Sequence, residues 1–306
     1  MRIGIHSFSS GPTFLEQIQV AVDAERYSLD SCWYGQIFGH DALTLAALAG
    51  RETKRIELGT AVAQTYSRHP FHMAIQAITT QAATGGRFCL GIGPSHKVVT
   101  QDMLGLPYDR AALHVREYLS VLVPLLRRGN VAFAGEKFRV VGALQIPDAK
   151  PCPVLISGLA PMMLRIAGEL ADGTILAWAG PKTIETHYVP SINSAAEAAG
   201  RPRPRVCVLL PVAVADDVAA AREQAAATFQ IYSRLPNYQR VLEREGAKTP
   251  AELAVVGDEA SVEKQVRALS AAGATDLIAW VYPVGDAAAK SLERTWALLG
   301  SLAGKV

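Results

Sequence analysis

The amino-acid sequence predicts one α/β domain over residues 1–306, a (β/α)8 TIM barrel with insertions. Short apolar segments alternate with helical segments from end to end, and no linker divides the chain into halves. The length of 306 residues suits a barrel of roughly 250 residues with additions. An open, doubly wound sheet is the alternative, but the first strand–helix turn, Phe8–Pro12, lacks the dinucleotide-binding glycine pattern.

Four strand–helix units are predicted in the first half of the chain. Short apolar runs predict the strands 2–6, 32–36, 56–62 and 88–92. Helical patterns follow them at 13–27, 41–49, 70–83 and 110–128. Thr13 and Asp41 are suited to cap the first two helices, and Pro70 suits the first turn of the third.

The second half completes the barrel but is interrupted twice. We predict strands at 154–157, 174–178, 206–215 and 277–282. We predict helices at 160–170, 181–199, 217–232, 261–271 and 287–302. The alternation is lost near 129–150, where 131–141 has the pattern of a hairpin, and near 233–257, where Pro236, Gly246 and Pro250 interrupt the pattern. We interpret both segments as insertions.

Composition and charge argue against several classes of protein. Half of the residues are hydrophobic, 19% are charged, and the formal net charge is only +2, so neither nucleic acid nor an anionic membrane is an expected partner. The chain opens with a strand rather than a signal peptide, and no apolar stretch is long enough to span a bilayer. The four cysteines are widely separated without a Cys-x-x-Cys motif, which favours buried thiols in a reducing, cytoplasmic protein.

The residues that close the predicted strands should share one pocket, because the carboxyl ends of barrel strands form the face that carries the chemistry. This set includes His6, Gln36, Gln64, Trp178 and residues 94–96, next to glycines that admit a large group. It contains no Ser-His-Asp triad, no paired carboxylates and no metal-ligand spacing. Such a pocket suits a bound organic cofactor that supplies the reactive chemistry, and no metal is predicted.

The strand at 154–157 leads directly into a helix through Ser157, Gly158, Leu159 and Ala160. The free backbone N–H groups of a helix N-terminus attract a phosphate, by roughly 0.3–1 kcal/mol and up to about 2 kcal/mol when partly buried. This turn is therefore a candidate phosphate site. An ordinary helix start with Ser157 as a local cap is the alternative.

Several motifs carry a family resemblance. They are Leu-Gly-Thr-Ala-Val at 58–62, Ser-Arg-His-Pro at 67–70, Gly-Gly-Arg-Phe-x-Leu-Gly-Ile-Gly at 85–93, Pro-Val-x-Ile-Ser-Gly at 153–158 and Ala-Gly-Glu-x-Ala-Asp-Gly at 167–173. In this order, over nearly the whole chain, they resemble the bacterial luciferase-like superfamily. The chain is most similar to the branch that uses the deazaflavin coenzyme F420, such as methylene-tetrahydromethanopterin reductase. The resemblance implies a homodimeric barrel with the deazaflavin ring at the strand ends and its phosphate tail at the turn after 154–157.

The resemblance also assigns residues. Ala61–Val62 match a non-proline cis peptide that backs the ring, Gly158–Ala160 match amides that contact the phosphate, and Pro94–His96 match a loop beside the ring. The predicted cofactor-binding residues are Gln36, Ala61, Val62, Gln64, Pro94, Ser95, His96, Ser157, Gly158, Leu159, Ala160 and Trp178. His96 is the predicted catalytic residue, since it matches a catalytic glutamate of the deazaflavin-dependent glucose-6-phosphate dehydrogenase. A role in positioning the ring, or exposure to solvent, is the alternative for His96.

One departure from the family bears on the reaction. Where that dehydrogenase carries an Asp-His pair after the second strand, this chain has Gln36-Ile37. A glutamine cannot exchange a proton near neutral pH, so we expect reduction of a polarised C=C or C=N bond, with the proton from water or His96. The alternatives are an FMN-dependent luciferase-like monooxygenase and a non-enzymatic cofactor-binding barrel.

For several other residues the sequence leaves more than one role open. His6 is interpreted as a hydrogen-bonded lining residue, and Trp178 either stacks near the ring or fills the barrel mouth. Arg68 and His69 either contact a polar ligand or lie in a surface loop. The substrate, a small molecule, is expected between Phe8–Ser10, the loop after 88–92 and the 233–257 segment, where Tyr232 and Tyr238 suit an apolar or aromatic guest or the packing of a helix.

Overall fold

A computed structural model describes residues 1–7, 12–147 and 150–306 and contains a closed barrel of eight parallel strands. The predicted fold is confirmed, and the open sheet is wrong. The strands are β1 (Arg2–Ser7), β2 (Ser31–Tyr34), β3 (Glu57–Thr60), β4 (Ala63–Gln64), β5 (Phe88–Gly93), β6 (Asn130–Ala134), β7 (Arg139–Ala143), β8 (Val154–Ser157), β9 (Gly173–Ala177), β10 (Arg205–Val214), β11 (Val255–Gly257) and β12 (Asp276–Val281).

The barrel order is β1-β2-β3-β5-β8-β9-β10-β12, and β12 pairs again with β1. Every neighbouring pair is parallel, so all carboxyl ends open on one face, the mouth of the barrel. Strand β4 pairs with the end of β5, and β11 adds to the end of β10. Strands β6 and β7 form the predicted antiparallel hairpin as a separate two-stranded sheet.

The helices surround the barrel. They are α1 (Phe14–Arg26), α2 (Ala42–Glu52), α3 (Pro70–Ala83), α4 (Ala111–Arg128), α5 (Pro161–Leu170), α6 (Pro181–Thr183), α7 (Val189–Ala198), α8 (Val218–Thr228), α9 (Pro236–Glu245), α10 (Glu259–Ala271) and α11 (Ala288–Leu302). Thr13 and Asp41 cap α1 and α2 as predicted, and Pro70 occupies the first turn of α3. No helix within the described ranges is long and apolar enough to cross a membrane.

The structure corrects several predicted elements. The strand predicted at 56–62 ends at Thr60 and resumes as β4, and the helix predicted at 181–199 is interrupted by a π-helical turn, Ile184–Tyr188. The helix predicted at 217–232 ends at Thr228 and is followed by a 3-10 turn, Gln230–Arg234. No local residue pattern indicates the π-helical turn Val98–Met103 after β5. The segment 233–257 contains a regular helix, α9, and a strand of the main sheet, β11.

The Gly-Gly-Arg-Phe motif lies at the amino end of β5, opposite the mouth. Gly85 and Gly86 have φ angles of +66° and +94°, which glycine adopts without steric cost. The Arg87 guanidinium then donates to the carbonyl oxygens of Gly50, Thr53 and Ile56 at 2.7–2.9 Å. The motif therefore ties the end of α2 to the start of β5 and lies outside the functional site.

Charged side chains close the amino end of the barrel, which we call the floor. Arg205 at the start of β10 contacts Glu57 of β3 at 2.9 Å and Asp276 of β12 at 2.5 Å. Arg2 of β1 contacts Glu57 at 3.0 Å. Four strands are thus linked by ion pairs at this end. The four cysteines are all buried free thiols, as predicted.

Candidate functional site

A cavity with two adjoining lobes opens at the mouth of the barrel. The outer lobe has a volume of about 360 Å³ and the inner lobe about 120 Å³. Both are lined by Val62, Ser95, His96, Ser157 and Tyr238, so one ligand can extend through both. The combined volume of the two lobes falls in the range of small-molecule and cofactor sites.

The structure brings nearly all the predicted site residues to this cavity. Gln36, Ala61, Gln64 and Trp178 line the inner lobe, whereas Pro94, Leu159 and Ala160 line the outer lobe. The four others that line the cavity (Val62, Ser95, His96 and Ser157) border both lobes. Gly158 lines neither, because it lies below the surface, where an added Cβ would meet Met163 Cβ at 3.2 Å.

The interruption between β3 and β4 shapes the inner lobe. The peptide bond between Ala61 and Val62 is cis, as the family resemblance predicted. Beyond it, Gln64 of β4 pairs with Gly93 of β5, and the next amide donates to the Gly93 carbonyl at 3.0 Å. This arrangement places Ala61, Val62 and Gln64 on the inner lobe, with the backbone of Gln64 held by β5 and the Ala61 amide bonded to the Tyr34 carbonyl of β2.

His6 closes the bottom of the inner lobe. Its ring is hydrogen-bonded to the Ala61 carbonyl and lies 4.8 Å from the Trp280 ring, centroid to centroid. Burial lowers the pKa of His6 to about 4, so the ring is neutral at pH 7. Gly35 leaves space for it, because an added Cβ would be 3.0 Å from His6 Nε2. The placement agrees with a hydrogen-bonded lining residue.

His96 lies on a loop between the two lobes. The preceding residue, Ser95, has a φ angle of +62°, a left-handed conformation that is uncommon for serine, and its carbonyl accepts a hydrogen bond from the Tyr108 hydroxyl at 3.1 Å. The His96 ring lies 5.9 Å from the Tyr238 ring in an edge-on contact. Burial lowers the pKa of His96 below its usual 6.5, so the imidazole is mainly neutral at pH 7.

Gln36 is held from outside the cavity by charged side chains. Arg68 Nη1 donates to Gln36 Oε1 at 3.3 Å, and Gln36 Nε2 donates to Asp41 Oδ2 at 3.3 Å. Arg68 also forms an ion pair with Asp41. Neither Arg68 nor His69 lines the cavity: Arg68 orients Gln36, and His69 Nδ1 accepts a hydrogen bond from the amide of Phe71 at the start of α3. The surface-loop alternative therefore holds for His69.

Aromatic side chains form the wall of the inner lobe. Between ring centroids, Trp178 lies 5.1 Å from Tyr232 and 5.4 Å from Phe229, and Trp280 lies 5.8 Å from Tyr232. Trp178 has a φ angle of +65°, and its Nε1 has no hydrogen-bond partner within the described residues. Buried donors are normally paired, and this indole N–H is enclosed in the wall rather than open to the cavity.

The outer lobe combines a helix N-terminus with two cations. Ala160, the residue before α5, provides no side-chain cap, so the first amides of that helix remain for a ligand. Arg240 and Arg244 of α9 line the same lobe. The sequence pattern does not indicate either arginine, because 233–257 is interpreted from sequence as an insertion without a regular element. Pro236 at the first helical position and Gly246 just after the last were the available signals for a helix.

The structure describes only part of the substrate region that the sequence predicts. Phe8–Ser10 lie outside the described residues. Asn237, Tyr238, Arg240, Val241 and Arg244 bring the 233–257 segment to the outer lobe, and Tyr232 joins Tyr238 at the inner lobe. Within the ranges 1–7, 12–147 and 150–306, no three His, Cys, Asp or Glu side chains are grouped to hold a metal ion.

Comparison with known proteins places this chain in a family. A family model described as luciferase-like monooxygenase matches residues 1–287. The 5,10-methylenetetrahydromethanopterin reductase of Methanolobus tindarius is 28% identical over 259 residues, covering 84% of this chain and 78% of that protein. A putative coenzyme F420-dependent oxidoreductase of Mycobacterium tuberculosis is 26% identical over 309 residues, covering 85% of this chain and 89% of that protein.

A solved structure shows the same architecture. The coenzyme F420 dependent tetrahydromethanopterin reductase of Methanopyrus kandleri matches with a TM-score of 0.81, covering 98% of this chain and 97% of that one at 24% identity. At this identity the match establishes the fold alone. Together with the family model over residues 1–287, which confirms the resemblance seen in the motifs, it leads to one conclusion: this chain belongs to the luciferase-like monooxygenase family.

Proposed function

We propose that this protein is an oxidoreductase that binds coenzyme F420 and transfers a hydride between the deazaflavin and a small organic substrate. The observation that carries the proposal is the two-lobed cavity. Its inner lobe has the aromatic and amide lining that suits a planar ring. Its outer lobe offers a free helix N-terminus and two arginines, which suit a phosphate-bearing tail.

The residues present fit such a cofactor. The Trp178 ring lines the inner lobe, Ser157 borders both lobes, and Gly93 leaves space beside Val62. Gln36 is fixed by Arg68 and Asp41. When bound, the deazaflavin would supply or accept the hydride, while these side chains would orient it and exclude water from it. The name of the relative from Mycobacterium tuberculosis, a putative coenzyme F420-dependent oxidoreductase, supports this cofactor.

The proton chemistry of the lobe favours reduction over alcohol oxidation. His96 is the proposed catalytic residue, and it is mainly neutral at pH 7 because burial lowers its pKa. Gln36, where a proton-transferring pair would be needed for alcohol oxidation, cannot titrate. We therefore propose reduction of a polarised C=C or C=N bond, with the proton delivered by water or by the protonated fraction of His96.

The test is a fluorescence titration of the cofactor-free protein with coenzyme F420 and, in parallel, with FMN. Saturable micromolar binding of F420 with weaker binding of FMN is the expected result, and an anaerobic screen of unsaturated acceptors then follows. Preferential binding of FMN would contradict the proposal and indicate an oxygen-dependent enzyme. Binding of neither compound would leave only the fold established.

The resemblance also leads us to propose a homodimer. Sedimentation velocity at micromolar concentration should give a species of twice the 32.7 kDa chain mass. A monomer at that concentration would contradict this part of the proposal.

A further inference from the structure

The inner lobe contains a buried amide whose hydrogen bonds are left open. The Gln64 side chain is only 9% exposed, yet it makes no hydrogen bond to any described residue. Its oxygen and nitrogen are not among the fully enclosed polar atoms, so both are reached from the cavity. A ligand that enters the lobe excludes water from this amide, so the ligand itself must pair with its oxygen and its nitrogen.

Gln36, the other glutamine of the inner lobe, is already committed. Arg68 is only a donor and must face the Gln36 oxygen, whereas Asp41 is an acceptor and must face the Gln36 nitrogen. Gln64 has no such partners in the part of the chain that the structure describes. It can therefore present its donor and its acceptor side by side to the same ligand.

The backbone fixes the position from which Gln64 reaches into the lobe. Strand β4 pairs with β5 at Ala63 and Gln64, so the side chain starts from a held main chain. Val62 lies two residues earlier, at most about 7 Å away along extended backbone, and lines the same lobe. Gly93 opposite leaves this region open, since an added Cβ would be 3.0 Å from Val62 Cγ2.

The charge of the lobe limits the ligand class. No Asp, Glu, Lys or Arg among the described residues lines the inner lobe. A charged group on the ligand would therefore lose its hydration without gaining a counter-ion there. The part of the ligand that meets Gln64 must be uncharged and must offer both an acceptor and a donor.

We propose that Gln64 binds a cyclic imide or lactam edge, in which a C=O and an N–H lie next to each other in one plane. Two parallel hydrogen bonds would form, from the Gln64 N–H to the ligand carbonyl and from the ligand N–H to the Gln64 carbonyl. The pyrimidinedione ring of a deazaflavin or flavin has such an edge. To this extent the inference rests on the proposed function, and it identifies Gln64 as the residue that recognises the ring.

Paired ring compounds test the contact without any turnover. Lumiflavin carries the imide N–H, and 3-methyllumiflavin is the same ring with that N–H blocked. In fluorescence titrations we expect the wild-type protein to bind lumiflavin at least about tenfold more tightly than 3-methyllumiflavin. We expect Gln64→Met to remove this preference and to weaken F420 binding by about 10- to 100-fold. Gln19→Met, at an exposed position on α1, is the matched control and should behave as wild type.

A second variant distinguishes the loss of a hydrogen bond from a change in side-chain shape. Gln64→Glu has nearly the same size but, when ionised, cannot donate to the ligand carbonyl. Its affinity for F420 should be weak at pH 8 and should increase toward pH 5 as the carboxyl group takes up a proton. Gln64→Met should show no comparable increase.

Each result bears on the proposal. Equal binding of the two lumiflavins by the wild-type protein, a preference that survives Gln64→Met, or no binding of either compound would overturn it. If the preference is present but F420 does not bind, the proposed cofactor is wrong and the Gln64 contact stands. If F420 binds equally well to Gln64→Met, the contact is wrong and the proposed function stands.

Discussion

The two ends of the barrel treat their polar side chains in opposite ways. At the floor, Arg205 lies between Glu57 and Asp276, and every charge has a partner. Burial would raise the pKa of Asp276, but the attraction of Arg205 outweighs it and the pKa is lowered. At the mouth, His6 and His96 are neutral at pH 7, and the Gln64 amide has no partner within the described ranges.

The difference shows which end serves stability and which serves binding. Buried polar groups are normally satisfied by their own protein, and the floor meets that rule without a ligand. The mouth does not, because the Gln64 amide borders the cavity without a hydrogen-bond partner among the described residues. In barrel enzymes the carboxyl ends of the strands carry the chemistry, whereas the amino ends contribute stability. The following predictions test this division.

The largest effect is expected at the floor. Arg205→Met would leave Asp276 and Glu57 without their central cation, and Asp276 is only 1% exposed. Breaking a buried ion pair in this way costs about 3–5 kcal/mol, measured as the free energy of unfolding in urea. Arg267→Met, which removes an exposed i,i+4 pair with Glu263, should cost less than about 1 kcal/mol. Equal losses for both variants would contradict the stabilising role of the floor.

A large effect on turnover is expected at the mouth. If His96 delivers the proton, His96→Ala should lower the rate of reduction by about 10²-fold while changing the free energy of unfolding little. Because burial lowers the pKa of His96, its protonated fraction at pH 7 is small. The wild-type rate should therefore rise as the pH falls from 7 toward 5, and the variant should lack this rise. An unchanged rate in His96→Ala would assign the proton to water.

The buried histidines should make the protein sensitive to acid. Burial lowers the pKa of His114 to about 4, compared with about 6.5 for the unfolded chain. Between these values the unfolded chain binds more protons, so stability decreases as the pH falls. At pH 5 the loss is on the order of 2 kcal/mol for this side chain.

The measurement for His114 is urea unfolding at pH 7 and at pH 5. His114→Gln, which keeps a polar group near the Thr65 hydroxyl, should lose less stability than the wild type between the two values. A wild-type stability that is the same at both pH values would show that His114 is protonated at no cost.

The smallest effect is expected in the outer lobe, where the groups are exposed. Replacing both Arg240 and Arg244 with Gln should weaken F420 binding by about tenfold, because charge-assisted contacts to the phosphate are lost. Arg51→Gln, at an exposed position on α2, serves as the control. A loss of lumiflavin affinity of the same size in the double variant would show that the arginines do not act through the tail.

The fold could be predicted because it depends on local signals. Alternating apolar and helical segments, caps such as Thr13 and Asp41, and the glycines around β5 each act within a few residues. The cis peptide at Ala61–Val62 came from the family resemblance, since neither residue type indicates it. The predicted strand 56–62 extended too far, because these residue types also do not indicate that β3 ends at Thr60.

The parts that could not be predicted depend on distant contacts. Arg68 meets Gln36 across 32 positions, and Arg87 meets Gly50 across 37, so neither role is visible in a local motif. Arg240 and Arg244 needed α9 to be recognised first. Gly158 matched the family motif, but its place below the cavity surface is set by Met163 packing against it.

Helix α9 has a consequence for how a two-part ligand is held. The same ten-residue helix carries Tyr238, which borders both lobes, and Arg240 and Arg244 of the outer lobe. A tail that anchors the arginines therefore also fixes the wall beside the ring. For a ligand with both a ring and a tail, binding of one half to its lobe would raise the effective concentration of the other half at the second lobe. A compound with only one half would lose more affinity than its missing contacts alone account for.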